Sequence, residues 1–210
     1  MLIEYQPPKI PKPLRNVANW FRLCGWVSFW MQLVLAFIAA IALLFANSGQ
    51  SFSPDSNPGI NIAIFWAICG VTLLVVGILF DFRYVRIAKG LLHEPGAILH
   101  PKKAETIQFL RLGAWLGFGG MLFALFGSGA SVGVLVAKTV SQPPGVAIID
   151  PNKIVRALDV FVVLANITLI AAHLVGTVMS FWLMDRVHHY EHPDNPYYGD
   201  NINPPHNYPQ

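Results

Sequence analysis

Charge is scarce in this chain of 210 residues. Asp, Glu, Lys and Arg together make up 12% of it, about half the ~25% usual in soluble globular domains. The apolar share is 54% and the mean hydropathy is +0.51. Those figures exclude both a soluble enzyme surface and a charge-extended disordered chain. Cysteine is scarcer still: Cys24 and Cys69 are the only two, too few for a disulfide scaffold. No serine elbow, no nucleophile beside a base and no carboxylate pair in a plausible cleft is visible, so an enzyme is not expected. The formal charge of +3 and the pI near 9.0 do not imply a nucleic-acid partner. The basic residues are dispersed at the ends of apolar blocks and form no patch.

What the chain does have is four long runs free of formal charge: Leu23 to Ala46, Ile60 to Phe80, Leu112 to Ala137 and Val160 to Met184. At ~1.5 Å per residue they reach about 31 to 39 Å as helices, enough to cross a hydrocarbon core of roughly 30 Å. Lipid offers no hydrogen-bond partners and no barrel-like alternation is present, so the expected fold is all-α: a four-transmembrane-helix bundle in the lipid bilayer. With both termini on the cytoplasmic side, eleven of the fourteen Lys and Arg residues lie inside and three outside, the arrangement that the positive-inside rule favours. Trp20, Trp26, Trp30, Trp115 and Trp182 then fall toward the inner interface and Trp66 toward the outer one.

The expected organisation is a basic, proline-containing segment over residues 1–22, a single four-helix domain over 23–192 and a polar, disordered tail over 193–210. The first 22 residues hold no hydrophobic h-region, so no removable targeting segment is expected. Cys24 at the inner edge of span one and Cys69 at mid-depth in span two are offset by roughly 20 Å, beyond disulfide reach, and are expected as free thiols. In the inner connection, Arg83, Arg86 and Lys89 should oppose Tyr84, Ala88 and Leu91 if the second helix continues. Pro95-Gly96 should stop that helix and Pro101 should open the next one. Asp150-Pro151 reads as an N-cap with a first-turn proline ahead of span four.

Span three carries Gly113, Gly117, Gly120, Ala124, Gly127 and Ser131 in alternating steps of four and three. Apolar tails give helices no hydrophobic reason to associate in lipid, so close approach through small residues has to supply the contact. A 3.5-residue repeat of this kind favours a left-handed bundle. Weaker stripes run through span one (Gly25, Ser28, Gln32, Ala39, Ala42, Ala46) and span two (Ala63, Ala67, Gly70, Gly77). The run Gly127-Ser-Gly129-Ala-Ser-Val-Gly133 looks like a phosphate loop but lacks the strand-to-helix context, and the acceptor triplet at Asn166 lies inside a span.

Span four bears a polar stripe of Asp159, Asn166, His173, Thr177 and Ser180, all within about 60° at helical spacing. An ionisable residue at bilayer depth such as His173 is costly. It reads either as an ion ligand, proton carrier or gate, or as a side chain satisfied by a neighbouring helix, with Gln32 and Thr72 as partners. Arg156 and Asp159 read as an interfacial ion pair. Beyond the span, Asp185, His188, His189 and His192 fall at i, i+3, i+4 and i+7 on one helical face. They could hold a transition-metal ion such as Fe, Mn or Zn, or they could simply be interfacial histidines.

The basic proline-containing N-terminus, the four spans, Asp81-Phe-Arg83-Tyr through Lys89-Gly-Leu-Leu, and Pro101-Lys-Lys-Ala-Glu105-Thr-Ile-Gln-Phe-Leu-Arg-Leu-Gly113 together resemble a cyanobacterial membrane-protein family of unknown function, DUF3611. Its plant relatives are known as the permease in chloroplasts, or the twenty-one-kilodalton subunit of the inner-envelope protein translocon. The resemblance implies a four-helix protein of a cyanobacterial plasma or thylakoid membrane and two competing roles, iron uptake or protein import. It transfers no ligand residues. The leading expectation is therefore a permease or permease subunit for a transition-metal ion, with span four as the path and the inner histidines as receiver, acting as a homo-oligomer or within a membrane protein complex. The alternative is a non-transporting translocon component or assembly scaffold.

Overall fold

A backbone crossing lipid has to satisfy its own N–H and C=O groups, and each apolar block does so as part of one long helix. The computed structural model describes residues 12–51, 58–91, 103–141 and 156–189. They form α1 (Lys12–Ser51), α2 (Pro58–Leu91), α3 (Lys103–Val140) and α4 (Ala157–His189). All four are long and apolar enough to cross a membrane, and among the described residues there is no strand. Pro95-Gly96, Pro101, Asp150-Pro151 and the 193–210 tail lie outside the described residues.

The helices outrun the uncharged blocks, mostly at the end where α1 starts and α4 stops, the terminal end of the bundle. There α1 begins eleven residues before Leu23, and α2 continues eleven past Phe80. A charged residue marks the edge of the hydrocarbon but does not stop helical hydrogen bonding, and the long Lys and Arg stems reach water from such positions. Pro13 sits in the first turn of α1 and Pro58 opens α2, where a missing N–H costs nothing. Glu105 and Asp159 in first turns, and Lys89 and Lys138 in last turns, oppose the helix dipoles.

Consecutive helices pack antiparallel and α4 closes the ring against α1. Across the diagonals α2 meets α4, while among the described residues α1 and α3 do not meet. The central position belongs to α4: 44% of its most apolar stretch is buried, against 22% for each of the others. Outward faces present Phe37, Leu44, Phe65, Leu79, Trp115 and other large apolar side chains, as lipid-facing surfaces should.

Packing changes character along the axis. At the terminal end the core holds Phe21, Tyr84, Leu110, Leu183 and Val187. At mid-depth it is Ala39, Ala67, Leu74, Ala124, Leu169 and Ala172, and at the distal end Ala46, Ile60, Ala63, Ile64 and Val162. The hydrophobic effect drives burial of large side chains only where water is the alternative, whereas in lipid contact comes from small residues that let backbones approach. Around the terminal end Arg15, Arg22, Arg83, Arg86, Lys89, Arg111 and Arg186 are all exposed, a basic collar. As the helical continuation requires, Arg83, Arg86 and Lys89 face out while Tyr84 and Ala88 face in.

Candidate functional site: a buried polar seam

The small-residue stripe of α3 and the polar stripe of α4 face each other residue by residue. A β-carbon added at Gly113 would collide with the Tyr84 hydroxyl and come within 3.3 Å of Ser180 Oγ. One at Gly117 would collide with Thr177 Oγ1, one at Gly120 with the His173 ring, and one at Gly127 with Asn166 Oδ1. Each glycine leaves a slot: α4 side chains fill those at Gly117, Gly120 and Gly127, and the Tyr84 hydroxyl of α2, beside Ser180, fills the one at Gly113. Ala124 and Leu169 share the mid-depth core, and Ser131 is fully buried with its hydroxyl donated to Ser128 O at 3.0 Å.

Three of the stripe's side chains donate hydrogen bonds back to α4 itself. Thr177 Oγ1 donates to His173 O at 2.8 Å, Ser180 Oγ to Gly176 O at 2.9 Å, and Asn166 Nδ2 to Val162 O at 2.9 Å. This is how hydroxyl and amide groups are satisfied where no water reaches. Asn166 Oδ1 has no partner and is the one such buried side-chain atom among the described residues.

His173 is 3% exposed, and its Nε2 lies 3.1 Å from Gly70 O on α2. A carbonyl only accepts, so Nε2 carries the proton in that bond. The residues expected as partners are engaged elsewhere: Thr72 Oγ1 donates to Ile68 O at 2.9 Å within its own helix, and Gln32 belongs to a second cluster.

That second cluster escaped sequence reasoning. Asp81, 2% exposed, accepts on Oδ2 from Ser28 Oγ at 2.9 Å and Gln32 Nε2 at 2.7 Å, and Gln32 Nε2 also donates to Ser28 Oγ at 2.9 Å. One turn on, the Tyr84 hydroxyl meets Ser180 Oγ at 2.9 Å, tying α2 to α4. A cavity of about 20 Å³ lies among Gln32, Asp81, Tyr84, His173 and Ser180, room for about one water. The overlooked signal was periodicity. Ala63, Ala67, Gly70, Leu74, Gly77, Asp81, Tyr84 and Ala88 follow one another in alternating steps of four and three, so Asp81 continues the inward stripe of α2 although its charge suggests the edge of the span.

At the distal end Asp159 pairs with Lys138 of α3, both largely buried. Its Oδ2 also accepts the backbone N–H of Arg156 at 3.0 Å, so the carboxylate caps α4 from its first turn. Spacing within span four points only to Arg156, because a lysine on a neighbouring helix leaves no mark in it.

The polar groups do not form one continuous track. Between the levels of His173 and Asn166 lie Ala67, Ala124 and Leu169 of the mid-depth core, and between Asn166 and Asp159 lie Val162 and Ile60 of the distal core. At the terminal end, Asp185 and His188 are exposed, and His188 Nδ1 lies 2.8 Å from Met184 O. His189 ends α4 and its side chain, like all of His192, lies outside the described residues. Among the described residues no group of three His, Cys, Asp or Glu comes together as a metal set. Cys24 and Cys69 are both free.

Four antiparallel lipid-spanning helices with a buried, glycine-slotted polar seam define a multi-pass integral membrane protein of the helical-bundle class. The model of the family described as protein of unknown function DUF3611 matches residues 11–188, and the chain belongs to that family. It is 31% identical over 188 residues to "Protein TIC 21, chloroplastic" of Arabidopsis thaliana, across 85% of this chain and 60% of that protein. The chain thus matches a little under two thirds of the length of this curated relative. No solved structure matches it significantly.

Proposed function

We propose that this protein is a non-transporting subunit of a membrane protein complex, an assembly scaffold or translocon component. The observation that carries this reading is the closed interior: fully buried Ala67, Ala124 and Leu169 lie between the levels of His173 and Asn166, and the polar side chains on either side fill glycine slots. An ion crossing the bundle would need successive ligands to replace its hydration shell, and an aliphatic layer supplies none. The likeness to the plant relative supports the reading through the protein-import role that the family resemblance implies. The membrane is that of a cyanobacterium-like cell, plasma or thylakoid, and the partners are other membrane proteins or further copies of the chain.

A second reading, a permease for iron as cargo, draws support from one feature: two ionisable side chains, Asp81 and His173, border the same cavity. On that reading Asp185, His188, His189 and His192 receive the ion. Radioactive iron uptake by proteoliposomes, combined with native electrophoresis of the protein solubilised gently from its own membrane, separates the two. The scaffold predicts uptake equal to that of protein-free vesicles and a stoichiometric assembly well above the 23.2 kDa chain. Uptake abolished by His173→Ala or by the triple change of His188, His189 and His192 to Ala would overturn it in favour of the permease.

A further inference from the structure

Between α3 and α4, near the terminal end, the bundle leaves a groove of about 310 Å³ lined by Ala114, Trp115, Phe118, Phe181 and Met184, with Arg111 as its one charged residue. Trp115, Phe118 and Phe181 are 67%, 48% and 54% exposed, so the groove opens toward lipid. Its walls are apolar enough for an acyl chain, and a gap left unfilled there would forfeit dispersion contacts on both sides. Arg111 immediately precedes the uncharged block that starts at Leu112, which puts its guanidinium within reach of the headgroups.

Arg111 differs from two arginines of the collar that cover aromatic rings, and it is the one that lines the groove. Arg83 lies over the Phe109 ring at 5.5 Å, and Arg186 over Trp20 at 5.2 Å and Trp182 at 5.6 Å. Arg111 has no ion pair, hydrogen bond or ring partner among the described residues. A basic group beside a crevice between membrane helices is the arrangement that captures anionic headgroups, and a guanidinium fork matches phosphate oxygens in pairs. The geometry points to a specific anionic phospholipid site, with one acyl chain lying on Trp115, Phe118 and Phe181 and the phosphate held by Arg111.

The test is native mass spectrometry of the full-length protein in detergent, titrated with dioleoyl phosphatidylglycerol or dioleoyl phosphatidylcholine. Wild type should retain the anionic lipid about fivefold more tightly. Arg111→Gln should remove that preference, Arg86→Gln on α2 should keep it, and Phe181→Ala should weaken both lipids alike. Equal retention of the two lipids by wild type, or a preference intact in Arg111→Gln, would overturn the site. So would an equal loss in Arg86→Gln, which would assign the preference to the collar as a whole, or a dimer that excludes lipid from the groove.

Discussion

The imidazole of His173 lies flat against Gly120, on the spot where any other residue of α3 would carry its β-carbon. The ring cannot swing aside freely, because Nε2 is tied to Gly70 O on a third helix. Gly120→Ala should therefore destabilise the bundle by about 1–3 kcal/mol, the usual cost of overpacking. The double variant Gly120→Ala/His173→Ala should recover part of that loss, since the alanine methyl then enters space the ring has left. Reversible unfolding in detergent or bicelles, analysed as a double-mutant cycle, measures the coupling. Strictly additive effects would mean that the two residues do not share this contact.

Asp81 tests whether the second polar cluster is structural. Ser28 and Gln32 both donate to its Oδ2, so Asp81→Asn keeps an acceptor in place and should cost little. Asp81→Leu leaves the Ser28 hydroxyl without its acceptor and Gln32 Nε2 with only its bond to Ser28 Oγ, and should cost about 1–3 kcal/mol. Two variants of equal stability would show that the Ser28 and Gln32 bonds contribute nothing to holding α1 against α2.

The hydroxyl pair between α2 and α4 offers a finer probe. Tyr84→Phe removes one hydrogen-bonding group and leaves the ring on Phe109 and its other neighbours. The expected loss is about 0.5–1.5 kcal/mol. Ser180 keeps its bond to Gly176 O, so Ser180→Ala in the Tyr84→Phe background should add only a small further loss.

The inward faces were legible wherever small or polar residues repeat at 3.5-residue spacing, because that spacing fixes which residues share a face. Gly113, Gly117, Gly120 and Gly127 form a stripe on that basis, and so do Asn166, His173, Thr177 and Ser180. That the two stripes fill one another was not legible, since the axial offset and rotation between two helices leave no mark in either helix alone. The same holds for the bond from His173 to Gly70 O and for the pairing of Lys138 with Asp159. Asp81 is a different case: its charge suggests the edge of the span, while its place in the inward repeat of α2 puts it inside the bundle.

The distal ion pair separates two contributions of one carboxylate. Lys138 and Asp159 are 8% and 5% exposed, so removing one partner leaves a buried charge uncompensated, at a cost of about 3–5 kcal/mol. Lys138→Met should show that loss. Replacing both charges, as in Lys138→Met/Asp159→Leu, removes the desolvation penalty along with the attraction and should restore most of the stability. Recovery should stop short of wild type by about 1 kcal/mol, because Asp159 also accepts the Arg156 N–H and the start of α4 loses that cap. Hydrogen exchange localises the shortfall: faster exchange of the Arg156 amide and the first turn of α4 in the double variant marks the lost cap, while the α3–α4 contact around Gly120 stays protected. If the double variant is no more stable than Lys138→Met, the pair is not held as a desolvated unit and Lys138 contributes through its aliphatic packing.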